Sequence, residues 1–137
     1  MDGTYDLTEK DSENFEKYMI ALEVGIILRK AAKFIHQEVT ISCQGEKIHI
    51  VTKSTVRSSD EVFQIGVERP LTTLDGRKVQ ATVTKTEDGR GLHMVETWKK
   101  GKKTGTVTMT FDGDRMVLDL DCEGVKCRRV FTKKTGR

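Results

Sequence analysis

The chain has 137 residues, of which 33% are charged and 6% aromatic, with a single proline and a formal net charge of +3. This is the length of one ordinary domain, expected over residues 1–137, and its mildly basic balance suits anionic small molecules, anionic membrane surfaces or nucleic acid without choosing among them. The longest apolar runs, "YMIAL" at 18–22 and "VGIIL" at 24–28, are far short of the roughly 18 residues of a membrane span, and the opening "MDGTYDLTEKDSENFEK" has no signal-peptide core.

"GTYDLTE" near the start alternates as a first strand does. Phe15, Tyr18, Met19 and Leu22 then follow the i, i+3, i+4, i+7 spacing of an amphipathic helix. Ser12 is its expected N-cap, and Glu13 and Glu16 favour its positive end. Gly25 breaks the run, and Val24, Ile27, Leu28, Ala31 and Ile35 repeat the pattern with Arg29, Lys30 and Lys33 towards solvent. The expectation is a helix pair hinged near Gly25, over about 12–35.

From residue 38 onward the period becomes two. Alternating runs "EVTISC", "KIHIVTK", "EVFQI", "KVQATVTK", "LHMVETW", "TGTVTMTF", "RMVLDLD" and "VKCRRVFTKK" are separated by glycine or Asp-Gly turns, except that "STVRSSD" divides the second from the third. That is the signature of an antiparallel meander closing into a sandwich or barrel. The odd count of three cysteines, Cys43, Cys122 and Cys127, without CxxC spacing, argues for reduced thiols rather than a disulfide framework or zinc site.

The last run raises a chemical question. Val125, Cys127, Arg129 and Phe131 share one strand face, apolar except for the arginine, while Lys126, Arg128, Val130 and Thr132 share a face that reads as solvated. A buried guanidinium needs a partner, from the protein or from a ligand. In "LHMVETW" the inward row is Leu92, Met94, Glu96 and Trp98, so a carboxylate shares that interior, and Glu96 is a candidate partner for Arg129. An enzyme would need a nucleophile with a base or a metal cluster. His36, His49 and His93 are scattered, and no HxxxH, CxxC or G-x-S-x-G occurs.

"GTYDL", "SENFEKYMIALEVG" with "LRKAAKF", "STVRSSDEVFQIG", "TTLDGRKV", the lone Trp98 and "CRRVF" together make the chain resemble the intracellular lipid-binding proteins, the cytosolic fatty-acid and cellular retinoid carriers, nearly end to end. The resemblance implies a mainly β fold: a ten-stranded antiparallel up-and-down barrel, lipocalin-like, capped by a helix-turn-helix. It further implies a non-enzymatic carrier, cytoplasmic with nuclear entry left open, that holds a long-chain fatty acid, retinoic acid or retinol inside. The expected protein is a monomer with no cofactor, no metal and no catalytic residue. Two departures stand out. "TEKDSE" is longer than the family spacing, which predicts a run-on or bulged first strand, and "KKGKKTG" is longer too.

By the same resemblance, the polar head of the ligand falls to Arg129 and Phe131, with Met109 where a second arginine commonly stands and Glu96 where a neutral polar residue does. Phe131 lacks the hydroxyl of the usual tyrosine. Tail or cavity contacts are expected from Phe15, Met19, Val56, Leu74, Asp75, Arg77, Met94, Trp98, Val107 and Leu118. The turns at the helix end would carry a basic portal rim of Arg29, Lys30, Lys33, Arg57, Lys99, Lys100, Lys102 and Lys103, with Arg77 also assigned to the entrance. Such a rim draws anionic ligands or docks transiently on anionic membranes, so a peripheral lipid-transfer module is an alternative reading. A nucleic-acid-binding barrel is the less favoured one, because the aromatics sit on inward rows rather than an exposed basic face.

Overall fold

In a computed structural model of the chain the described residues are 1–10 and 12–134, with the side chains of Ser12 and Glu13 excluded. The capping role expected of Ser12 and the first-turn role of Glu13 therefore lie outside the description. Strand β1 is Gly3–Lys10, with Tyr5 and Leu7 buried on its inner face. Helices α1 (Ser12–Ala21) and α2 (Ile26–Ala31) follow, the second running into a 3-10 turn, Ala32–Phe34. Nine more strands complete the chain: β2 (Gln37–Gln44), β3 (Lys47–Ser54), β4 (Ser59–Gln64), β5 (Arg69–Thr72), β6 (Lys78–Lys85), β7 (Gly91–Trp98), β8 (Lys103–Asp112), β9 (Arg115–Cys122) and β10 (Val125–Lys133).

The ten strands form one antiparallel sheet in the order β4-β3-β2-β1-β10-β9-β8-β7-β6-β5. All sequential neighbours pair except β4 and β5, which stand at the two edges, and β1 also pairs with β10, which joins the two ends of the chain. The expected ten-stranded barrel is thus present, nearly closed: no ladder joins β4 to β5. Across that gap the Arg69 guanidinium donates to Glu61 Oε1 at 2.6 Å and lies over the Phe63 ring. The Gly66 amide donates to the Val83 carbonyl at 2.9 Å. β5 has no counterpart among the alternating runs, because four residues containing Pro70 leave no period to detect. A proline without an amide hydrogen suits this edge position.

The long "TEKDSE" segment has its structural counterpart in β1, whose register against β10 shifts between Leu7 and Glu9. This bulge lies beside the one correction on β10: Val130, assigned to a solvated face, is buried opposite Glu9.

The cap is asymmetric. α1 buries Tyr18, Met19 and Leu22 as its spacing predicts. α2 buries none of its own residues, and Ile27, expected inward, is 86% exposed. The inner line is instead Val24, Leu28, Ala32 and Ile35, and a six-residue helix lying across a barrel mouth can turn only that one edge inward. Arg29 is also not free: its Nη1 donates to the Val24 carbonyl at 2.7 Å.

One backbone approach fixes where β7 begins. A Cβ added at Gly91 would stand 2.4 Å from the Met109 carbonyl oxygen on β8, which is backbone and cannot swing aside. Gly105, by contrast, would meet only ordinary contacts with the Trp98 ring at 3.4 Å. Gly91→Ala should lower the unfolding free energy by about 1–3 kcal/mol in urea titration, and Gly105→Ala should cost much less.

Candidate ligand-binding site

The inward rows enclose a cavity of about 280 Å³ between the barrel wall and the helices, close to the size of a small-molecule site. Its wall is mainly apolar, with Phe15, Met19, Ile50, Phe63, Met94, Val107, Met116, Leu118 and Phe131 among the contributors. Of the residues expected there, Arg129, Phe131, Met109, Glu96, Phe15, Met19, Leu74, Asp75, Arg77, Met94, Val107 and Leu118 all line it. Two do not. Val56 is 59% exposed in the β3–β4 turn, where strand alternation has ended. Trp98 is buried, but its ring is occupied by the Arg77 guanidinium, 4.5 Å above it.

Arg129 sits deep in the wall at 5% exposure. Its Nη1 donates to Gln37 Oε1 at 3.2 Å, and its guanidinium carbon lies 4.0 Å from the centre of the Phe15 ring. Its Nε has no hydrogen-bond partner. Burial pulls the guanidinium below its ordinary pKa, opposed by Cys127 and Tyr18, yet an arginine stays charged. Among the described residues the cation is therefore answered by a neutral amide and an aromatic face, not by an acid.

Glu96 is not its partner, contrary to the pairing suggested by the two inward rows. Glu96 Oε1 lies 3.5 Å from Arg77 Nη1 instead. The reason is local: Gly76, at φ 95°, makes a tight turn that its amide closes onto the Thr73 carbonyl. Asp75 and Arg77, on either side, face the cavity. Arg77 Nε donates to Asp75 Oδ2 at 2.6 Å and its Nη2 to Asp75 Oδ1 at 3.0 Å, while the Thr73 hydroxyl donates to Asp75 Oδ1 at 2.8 Å. Arg77 thus belongs to an internal cluster and not to the entrance. Burial alone would lower its pKa, and Asp75 and Glu96 more than offset that, so it is raised. Burial, followed by the Glu96 charge, pushes the Tyr18 hydroxyl well up, which keeps it protonated. Gln37 carried no role in the sequence, and Tyr18 none beyond a helix stripe.

The basic rim is divided in its roles. Lys99 pairs with Glu23 in the α1–α2 turn, and Lys103 pairs with Glu123 at 2.9 Å while donating to the Ala21 carbonyl at 3.4 Å. Arg57 donates to the Thr73 carbonyl at 3.4 Å, tying two turns together. These groups fasten the mouth. Lys30, Lys33, Lys100 and Lys102 are exposed. None of the three cysteines is in a disulfide; Cys122 and Cys127 are buried and Cys43 partly so. Among the described residues, no group of three or more His, Cys, Asp or Glu side chains could hold a metal, and no helix is long and apolar enough to cross a membrane.

The model of the lipocalin / cytosolic fatty-acid binding protein family matches residues 2–134. The fatty acid-binding protein homolog 5 of Caenorhabditis elegans is 34% identical over 132 residues, covering 96% of this chain and 95% of the relative. Retinol-binding protein 1 of Bos taurus is 39% identical over 125 residues, with 89% of each chain covered. Among solved structures, a Schistosoma mansoni fatty acid binding protein in complex with arachidonic acid superposes with a TM-score of 0.89 at 26% identity, covering 97% of this chain and 95% of that one.

Burial, ahead of any other influence, raises the Glu96 carboxyl above its ordinary value of 4.5; Arg77 opposes the shift and Asp75 adds to it. A carboxyl raised on folding contributes stability that is complete below the ordinary value and is lost as pH rises through the folded one. Glu96→Gln should therefore melt higher than the native protein at neutral pH, with the difference vanishing below about pH 4.5. Thermal melts of both proteins across that range check the sign.

Proposed function

The chain belongs to the lipocalin / cytosolic fatty-acid binding protein family, and we propose that it is a cytosolic carrier of long-chain carboxylates, a fatty acid or retinoic acid, with the carboxylate on Arg129. A single observation carries this reading. Arg129 is buried in an apolar cavity with no acid against it and with Nε unpartnered, so it offers a full charge and a free donor to an anionic head. Phe15 covers the guanidinium, Met109 and Phe131 line the same cavity, and the apolar wall takes the tail. Each buried methylene contributes roughly 0.8 kcal/mol and the charged contact about 1.5–3 kcal/mol, so the tail binds and the head selects. No catalytic step is proposed.

Arg129→Gln should weaken fatty-acid and retinoic-acid binding by about ten- to a hundredfold while changing retinol affinity little. Fluorescence titration with all three ligands measures this, and unchanged acid affinity would make the arginine structural.

Delivery to a membrane is the second part of the reading. Ile27 and Phe34 are 86% and 83% exposed, and Val56 stands in the turn that His36 and Thr55 hydrogen-bond to the helix segment. With Lys30 and Lys33 close by in the chain, the mouth presents apolar side chains inside a basic fringe, which suits a transient docking on anionic lipid. Ligand transfer to anionic vesicles should outpace transfer to neutral ones and slow with salt, since the Debye length is only about 8 Å at physiological ionic strength. Glutamine at Lys30, Lys33, Lys100 and Lys102 should shrink the difference, and equal rates to both vesicle types would count against membrane docking.

A further inference from the structure

The cavity is electrically two-ended. Around Arg77, the Nε and Nη2 donors are both taken by Asp75, and the remaining Nη1 has no hydrogen-bond partner. Glu96 is 6% exposed and stands 3.5 Å from that Nη1. One cation thus faces two carboxylates, which leaves this end a negative charge in excess when Glu96 is ionised. Glu61, the other acid on the wall, is held by Arg69. At the far end Arg129 is a cation in excess.

Among the described residues no ion pair joins the two ends, and Glu96 pairs with Arg77 alone. Arg129 is opposite Leu118, Leu118 is opposite Met109, and Met109 is opposite Leu92 on β7. Glu96 is four residues further along β7 than Leu92, or about 13 Å at the rise of a strand.

We propose that Glu96 and Arg77 Nη1 form a second polar subsite, and that it selects a long-chain acid carrying a hydroxyl group well along its chain. The hydroxyl is the group that fits both atoms, because it donates its proton to the Glu96 carboxylate and accepts from Arg77 Nη1. A methylene would satisfy neither, and an ammonium would meet the Arg77 charge. Burial raises the Glu96 carboxyl, and a hydrogen bond donated to it offsets part of what its ionisation costs inside the wall. The carboxylate of the same ligand stays on Arg129, so the subsite deepens the carrier reading and rests on it.

The test is a competition titration at neutral pH with stearic acid and its mid-chain and terminal hydroxyl derivatives. The native protein should bind at least one derivative roughly tenfold or more tightly than the parent acid. Glu96→Leu should reverse that order, and Glu96→Gln, which keeps an amide oxygen as acceptor, should retain part of it. Arg129→Gln should weaken parent and derivatives by the same factor. Equal affinity of the native protein for parent and derivatives, with no selective loss in either Glu96 variant, would overturn the second subsite and leave the carrier reading standing. Absence of saturable binding by any of the acids would overturn both. If Glu96→Leu does not fold, the native comparison and Glu96→Gln still decide.

Discussion

A guanidinium enclosed in an apolar barrel carries a solvation cost that something must offset, and the placement of Arg129 on β10 sets that condition for the whole interior. Around it the fold supplies only weak answers: one amide oxygen from Gln37 at the start of β2 and the face of Phe15 from α1. Each comes from a different element, so the charge is accommodated only when the helix, β2 and β10 are all assembled. An acid at the same place would have made a closed ion pair and a finished core. Its absence leaves a pocket with an unmet donor.

The second internal arginine shows the opposite solution. Arg77 is held bidentately by Asp75 from its own turn and covered by Trp98, so it is rigid and largely satisfied before any ligand enters. The two arginines are chemically identical and differently held, and the difference lies in which acid the backbone brings within reach. Met109, two strands from Arg129 on the same inward row, contributes only apolar surface.

Access to the interior is governed by the uneven attachment of the cap. α1 is packed on its buried stripe and is fastened at its end by the pairs from Glu23 to Lys99 and from Lys103 to Ala21 and Glu123. α2 buries none of its own side chains. Few buried contacts mean low local stability, so opening should begin at α2 and the turn around Val56 rather than at α1. The gap between β4 and β5 is closed by side chains, Arg69 to Glu61 above all, which makes this flank the least backbone-bonded part of the wall.

Periodicity in the sequence determined the elements. The change from a 3.6-residue to a two-residue repeat, punctuated by Asp-Gly turns, placed the helix pair and most strands, and the inward rows named most of the cavity wall, because strand alternation dictates facing without knowledge of partners. Arg129 as an isolated inward charge was legible for the same reason. The pairing of those charges was not. Glu96 turned to Arg77 and not to Arg129 because the Gly76 turn, which has no period, carries Arg77 into the cavity beside it. Gln37 reached Arg129 across 92 positions of sequence. Val56 left the interior where its strand ran out, Ile27 because a six-residue helix turns only one edge inward, and β5 was too short to have a period. A repeat along one chain fixes which face a residue takes, while contact between faces depends on curvature, shear and closure, and those exist only once the sheet has folded round.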